Sequence, residues 1–92
     1  MKLTITITYN SGEEATYIAK TPEWVKWEKQ TGHSIKDWDE KGGISGLMFL
    51  AYHAHKREEA GKPVKPFEVW IETVSDWDVV RDADPKATKQ EA

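Results

Sequence analysis

The chain has 92 residues, five of them tryptophan and none cysteine, and a formal net charge of −3. A chain of this length forms one domain at most, and without cysteine it has neither a disulfide framework nor a thiolate metal site. The negative charge argues against nonspecific nucleic-acid binding by the whole domain, and no apolar run approaches the roughly 20 residues that a membrane-spanning helix needs.

The first predicted element is a β-hairpin. Residues 3–9 alternate between apolar side chains and threonine, and β-branched residues with period two are typical of a strand. Asn10-Ser11-Gly12 interrupts the alternation, and a second strand follows over 13–19. A three-residue loop with Gly12 in the left-handed conformation keeps apolar residues opposite each other, whereas a two-residue turn mixes the faces. The expected pairs are Leu3 with Ala19, Ile5 with Tyr17 and Ile7 with Ala15.

Two helical segments are predicted next. Thr21 is expected to be the N-cap of a helix that continues with Pro22 and an acid in its first turn. This helix should end before Gly32, where a left-handed residue is easily accommodated. Ser34 is expected to cap a short second turn that carries Trp38.

The longest predicted helix covers residues 44–60. Its core-facing residues recur at the i, i+3, i+4, i+7 spacing of one helix face. This stripe consists of Ile44, Leu47, Met48, Ala51, Ala54, His55 and Glu58. Gly61 is positioned to end the helix. Because the rest of so short a chain must pack on this helix, we expect it to be the most buried element.

The remaining sequence predicts one more helix and a polar tail. Lys65-Pro66 should begin a helix whose stripe is Phe67, Trp70, Ile71 and Val74. Residues 76–80 fit a short strand or an extended arm, and residues 81–92, which include no large apolar residue, are expected to be disordered. The predicted fold is α+β: a two-stranded antiparallel hairpin packed on three to four helices in a single domain over 1–80, followed by a disordered tail.

No constellation of residues in the sequence predicts catalysis or metal binding. His53 and His55 are two apart on a helix, so their side chains diverge by about 160° and do not share a metal ion. We expect His55 to be packed and His53 to be solvated. Paired acids such as Glu68 and Glu72 lie on polar faces rather than in an acid–base site. With no catalytic or nucleotide-binding motif, we predict a protein that is not an enzyme and uses no cofactor.

The aromatic residues indicate protein–protein contact instead. Three tryptophans lie on or beside helical stripes and are expected in the core: Trp24, Trp27 and Trp70. Trp38 and Trp77 lie in short or irregular segments between charges, and Phe49 projects away from its helix stripe. Such amphipathic or displaced aromatic residues suit the rim of an interface as well as a core. Trp38, Phe49 and Trp77 are therefore the candidate interface residues, and they predict self-association.

Three blocks of the sequence resemble the tail assembly chaperones of long-tailed bacteriophages, those of actinobacterial phages in particular. The blocks occur in the family's order, as residues 27–34 (WEKQTGHS), 46–57 (GLMFLAYHAHKR) and 67–74 (FEVWIETV). The resemblance covers nearly the whole chain, hairpin included. Each block is an amphipathic helix and not a chemical signature, so the family provides no catalytic or partner-binding residue to transfer.

The resemblance implies a protein that binds the tape-measure protein in the cytoplasm of the bacterial host and keeps it soluble. It also implies help in polymerising the tail-tube protein, absence from the mature virion, and no nucleic-acid or membrane partner. A homo-oligomer is implied, as is a longer form of the chain made by ribosomal frameshifting. Asp84-Pro85-Lys86 is the expected slippery site, because the codons GAC, CCA and AAG or AAA allow transfer RNAs to re-pair one base upstream.

Two other classes of function are compatible with the residues. One is a small protein–protein adaptor or antitoxin-like module, which a coding locus without phage tail genes would favour. The other is a nucleic-acid-binding domain that uses a basic cluster: Lys56, Arg57, Lys62 and Lys65. The simpler interpretation of this cluster is charge complementary to a helix C-terminus. Retention on a polyanion column that falls steeply with salt would favour nucleic-acid binding.

Overall fold

The computed structural model describes residues 2–82. Its regular elements are β1 (Lys2–Tyr9), β2 (Glu14–Ala19), α1 (Thr21–Thr31), a 3₁₀ turn (Ile35–Asp37), α2 (Trp38–Lys41), α3 (Gly43–Glu58), α4 (Phe67–Trp70), a second 3₁₀ turn (Ile71–Thr73) and β3 (Val74–Asp82). The fold class is α+β, as predicted from the sequence.

The hairpin has the predicted register. β1 and β2 are antiparallel, with Leu3 opposite Ala19, Ile5 opposite Tyr17 and Ile7 opposite Ala15. Gly12 has φ of 93°, a left-handed conformation that side chains other than glycine rarely adopt. The rule that apolar residues oppose apolar residues was therefore sufficient to choose between the two possible loops.

The predicted two-stranded sheet is wrong, because a third strand pairs with β1. The strand order is β2-β1-β3, and β3 is antiparallel to β1. Its pairing extends well beyond the short strand or arm expected over 76–80. Arg81 and Asp82, assigned to the tail by sequence, belong to this strand. The rest of the predicted tail, 83–92, lies outside the described residues.

Local contacts fix the start of β3. A β-bulge interrupts the β1–β3 pairing between Thr8 and Tyr9. Ser75 Oγ donates a hydrogen bond to Thr8 O at 3.1 Å, and Asn10 Nδ2 donates to Glu72 O at 2.9 Å. The loop of the hairpin thus holds the segment that leads into β3, which explains how a strand distant in sequence finds its place.

Helix α3 packs against β2 and β1 and forms the centre of the core. It buries Met48, Leu50, Ala51, Tyr52 and Ala54, which confirms a buried central helix. The orientation differs from the predicted stripe: Leu50 and Tyr52, expected at its flanks, are buried, whereas Ile44 is 56% exposed. Ile44 lies in the first turn of α3. Trp24, Trp27 and Trp70 are buried as predicted.

The helix ends follow the sequence signals to within a few residues. α1 begins at Thr21, with Lys20 as its N-cap residue, one position before the predicted cap. It stops at Gly32, which has φ of 79°. Ser34 Oγ accepts a hydrogen bond from the Lys36 N–H at 3.2 Å, as expected for a cap. The last helix is shorter than predicted, because the chain leaves the helical conformation at Val74 to enter β3.

Candidate functional site

Trp38, the first candidate interface residue, is part of the core. It is 6% exposed. Its ring meets those of Trp24 and Trp27 edge-on, with centroids 4.9 and 5.1 Å apart, an arrangement that aromatic pairs favour. The expectation that a single chain would fail to bury Trp38 is therefore wrong.

Two glycines leave the space that Trp38 occupies. A Cβ atom added to Gly42 would lie 2.7 Å from the Trp38 ring, and one added to Gly46 would lie 2.8 Å from it. Both distances are shorter than the closest approach of non-bonded carbon atoms. A larger residue at either position therefore displaces the ring. The i, i+4 spacing of these glycines places them on one side of the helical backbone, and this was the available sequence signal for a buried neighbour.

Trp77, the second candidate, lies at an uncovered part of the sheet. It is opposite Ile7 in the β1–β3 pairing, so it shares the face of the sheet that carries the helices. α3 packs against β2 and β1 rather than over β3, and 36% of Trp77 remains exposed. The structure thus leaves an aromatic residue accessible at the point where helical cover ends.

A groove of about 400 Å³ lies between β3 and the α2–α3 segment, and we call it the β3 groove. Its apolar lining comprises Leu3, Trp38, Ile44, Leu47, Trp77 and Val79. The groove brings two of the three candidate residues together, with Trp38 contributing from the core side and Trp77 from the strand. Sequence reasoning missed Ile44, because its place in the apolar stripe of α3 suggested burial.

Charged residues border the β3 groove. Arg81 on β3 donates a hydrogen bond to Asp39 on α2. This bond and the positive charge of Arg81 hold the pKa of Asp39 below its ordinary value. Farther along β3, Asp76 Oδ1 accepts a hydrogen bond from the Trp77 N–H at 2.8 Å. Asp78 Oδ1 accepts one from the Val79 N–H at 2.9 Å. Arg81 and Asp39 therefore line the groove, whereas Asp76 and Asp78 lie on the other face of β3, opposite Thr8 and Thr6.

Phe49, the third candidate, lies in a different groove. This second groove, of about 450 Å³, is bordered by α1, α3 and Phe67. Phe49 is half-buried there, and its ring centroid is 4.3 Å from that of His53. Phe49 and Trp77 consequently do not form one continuous surface.

The side chains of His53 and His55 diverge on α3 as predicted, but His53 is not solvated as expected. Each is half-buried, with His55 beside Tyr17 at a centroid distance of 5.3 Å. His53 Nδ1 is buried without a hydrogen-bond partner. Burial, together with the charges of Lys26 and Lys56, lowers the pKa of His53. Within residues 2–82 there is no group of three or more potential metal ligands.

The predicted basic cluster is largely engaged in contacts within the protein. Arg57 donates to Glu23 through Nε at 2.8 Å and Nη2 at 2.9 Å. Lys56 lies 5.7 Å from the centre of the Tyr52 ring, and Lys62 forms an ion pair with Glu59 at 3.7 Å. These contacts give the cluster a structural role. Glu23, the expected acid of the first turn of α1, is fully buried.

None of the helices described over residues 2–82 has the length and apolar character required to cross a membrane. Comparison of the chain with family models, curated proteins and solved structures gives no match.

Proposed function

We propose that the protein is a tail assembly chaperone of a long-tailed bacteriophage. It binds the tape-measure protein in the cytoplasm of the bacterial host, keeps this protein soluble and promotes polymerisation of the tail-tube protein around it. It acts without catalysis and is absent from the mature virion. The observation that carries the proposal is the β3 groove, because a chaperone that holds an assembly partner needs apolar surface that its own fold leaves uncovered.

The three sequence blocks that resemble this family have a common place in the fold. The first covers the end of α1, the second lies within α3, and the third covers α4 and the turn that follows. They contribute Trp27, Tyr52 and Trp70 to the core. The blocks thus specify the helical scaffold, which supports the β3 groove from one side. Ile44 and Trp77, the exposed apolar residues of the groove, lie outside the blocks.

Co-expression with a tape-measure protein from the same phage genome tests the proposal. We expect the wild-type chain to move the tape-measure protein from the insoluble to the soluble fraction and to co-purify with it. Ile44→Glu places a charge in the β3 groove at a residue that is already 56% exposed, so the fold should persist while solubilisation fails. Val25→Glu is the matched control, because Val25 on α1 is 45% exposed and does not line the groove.

The two possible negative results have different meanings. If Ile44→Glu solubilises the tape-measure protein as well as Val25→Glu does, binding does not use the β3 groove. If the wild-type chain neither solubilises nor co-purifies with the tape-measure protein, the assignment as a tail assembly chaperone is wrong.

A longer form of the chain is part of the same proposal. Frameshifting at Asp84-Pro85-Lys86, which lies outside the described residues, would replace the sequence after Lys86 by a different one. Sequencing the natural gene tests this site. Codons that forbid re-pairing at these positions, or the absence of an overlapping minus-one reading frame, would exclude it.

A further inference from the structure

Among residues 2–82, no strand pairs with one side of the β3 backbone. Tyr9 N donates to Glu13 O at 2.8 Å, on the β2 side, whereas Asn10 N donates to Thr73 O at 2.8 Å, on the β3 side. Successive residues of a strand point their backbone groups to opposite sides, so the even-numbered residues of β1 bond to β3. Their partners include Asp78 and Val80. The backbone groups of Trp77 and Val79, which alternate with these, therefore point outward.

In the described part of the chain, the outward N–H groups of Trp77 and Val79 bond to side chains of the same strand. Each donates to the carboxylate of the residue before it, at 2.8 Å to Asp76 and 2.9 Å to Asp78. Charged side chains at an edge are a recognised protection against pairing with further strands. A cation that attracted the carboxylates would free both N–H groups to pair with an incoming strand.

The two faces of the sheet beside this edge differ in chemistry. On the helix face the edge borders the apolar β3 groove, with Trp77 36% and Ile44 56% exposed. On the other face Asp76 and Asp78 are opposite Thr8 and Thr6. Because side chains alternate between faces along a strand, a strand added to β3 places every second side chain in the groove. The side chains between them lie beside the carboxylates.

We propose that the edge of β3 binds an extended segment of a partner protein in which apolar side chains alternate with lysine or arginine. The segment adds a fourth strand to the sheet, with its apolar side chains in the β3 groove and its cations on Asp76 and Asp78. Main-chain bonds supply affinity in this mode of recognition, and the alternating side chains supply specificity. The proposal rests on the proposed function only in taking the occupant to be a segment of another protein.

The first test uses a synthetic peptide of about ten residues, the length of a long strand, in which valine and lysine alternate. We expect it to bind the full chain, with slower hydrogen exchange at the Trp77 and Val79 amides and no change at the Thr16 amide. A peptide with glutamate in place of lysine, and one with the same valines and lysines in two separate blocks, should bind at least about tenfold more weakly. Equal binding of either control peptide overturns the proposal.

The second test removes the outward donor of Val79. Val79→Pro deletes an N–H that the sheet does not use, a substitution that edge strands accept, and should weaken binding of the alternating peptide about tenfold or more. Thr16→Pro is the matched control, because Thr16 lies opposite Thr6 on the other edge strand and its N–H also points outward. Unchanged peptide binding by Val79→Pro overturns strand addition at this edge.

A double variant keeps the proposal testable if Val79→Pro fails to fold. Asp76→Asn with Asp78→Asn keeps an oxygen that can accept each N–H bond and removes both charges. It should lose the preference for the lysine peptide over the glutamate peptide, and an unchanged preference overturns the role of the carboxylates. If the alternating peptide does not bind while Val79→Pro converts an oligomer to a monomer, the edge belongs to a second copy of this chain and the proposal is wrong.

Failure of this inference and failure of the proposed function give different results. If the Val79→Pro variant still solubilises the tape-measure protein, the protein is a chaperone but does not bind through the edge of β3. If peptide binding depends on Val79 but the wild-type chain does not solubilise the tape-measure protein, the binding site at β3 is supported and the chaperone function is excluded.

Discussion

Each outer strand of the sheet is joined to the helices by an arginine–carboxylate pair, but the surroundings of the two pairs are opposite. Beside β2, Arg57 on α3 bonds to the fully buried Glu23 and also donates to Ile18 O at 3.2 Å. At β3, Arg81 bonds to Asp39 where the two side chains are 48% and 75% exposed. The buried pair connects α1, α3 and β2, whereas water competes for the exposed pair.

The same kind of ion pair thus contributes differently to stability at the two edges of the sheet. Glu23 also accepts a local bond from the Lys20 N–H at 2.8 Å, whereas its two bonds from Arg57 depend on the packing of α3 against α1. A buried pair of this kind costs stability when one partner is lost. Exposed pairs contribute little, so the β3 end can change its contacts at low cost. The β2 end of the sheet is thus held to the helices by a buried pair, and the β3 end by an exposed one.

The largest effect is expected from Glu23→Gln. Loss of the carboxylate leaves Arg57 without its charge partner. We expect the free energy of unfolding to fall by about 3 kcal/mol, the lower end of the range for breaking a buried pair, because Arg57 keeps some contact with water. Urea unfolding measures this. Asp39→Asn is the matched control and should leave the unfolding midpoint nearly unchanged; equal shifts for both variants would remove the distinction between the two ends.

Acid should act on the same pair. Burial on its own would raise the pKa of Glu23, but hydrogen bonds from Arg57 and the Lys20 N–H, with nearby positive charge, bring it below its ordinary value of 4.5. A carboxyl group whose pKa is lower in the folded state contributes stability that is complete above the unfolded value and is lost as pH falls through the folded value. Urea midpoints should therefore fall below about pH 4.5 more steeply for wild type than for Glu23→Gln. Parallel profiles would contradict this assignment.

Gly46→Ala should have an intermediate effect, since the added Cβ lies 2.8 Å from the Trp38 ring. Overpacking a core typically costs about 1–3 kcal/mol, and the better helix propensity of alanine offsets up to about 1 kcal/mol of this. We expect a lower melting temperature and an altered near-ultraviolet circular dichroism spectrum. Ser45→Ala, at the exposed neighbouring position, should change neither; a Gly46→Ala protein as stable as this control would show that Trp38 adjusts freely.

Trp77→Thr should have the smallest effect on stability. Threonine fits a strand, and because Trp77 is only partly covered, its replacement removes less buried apolar surface than a change in the core does. Its effect should appear in sedimentation instead. We expect the wild-type chain to form species heavier than its 10.6 kDa monomer, and Trp77→Thr to reduce them. If Phe49→Ser reduces the heavier species instead, the second groove is the associating surface. A wild-type chain that is monomeric at tens of micromolar excludes self-association through either groove.

The sequence was sufficient wherever a feature depends on neighbouring residues. The hairpin register follows from alternation and loop length, and the ends of α1 follow from Pro22 and Gly32. The third strand was predicted too short, because the alternation of Trp77 and Val79 with aspartates indicates a strand but not the strand with which it pairs. Only the fold brings β3 beside β1.

The candidate site was predicted in part for the same reason. Trp77, a candidate interface residue by sequence, is 36% exposed, and its role in an interface stays a prediction. Trp38 was misplaced because its burial depends on space left by Gly42 and Gly46, and their spacing indicates a close neighbour without identifying it as Trp38. The pairing of Glu23 with Arg57 joins residues far apart in the chain, so their charges could be noted but not connected.

The central position of β1 determines the order in which the sheet can assemble. Ile5 pairs with Tyr17 across a short turn, but with Val79 only after almost all of the described chain has been made. Closing the short loop costs less entropy, and pairings distant in sequence form more slowly. The hairpin therefore precedes β3 during synthesis on the ribosome. Throughout that interval the second edge of β1, at Thr4, Thr6 and Thr8, is open, and the nascent chain is most exposed to pairing with the wrong strand.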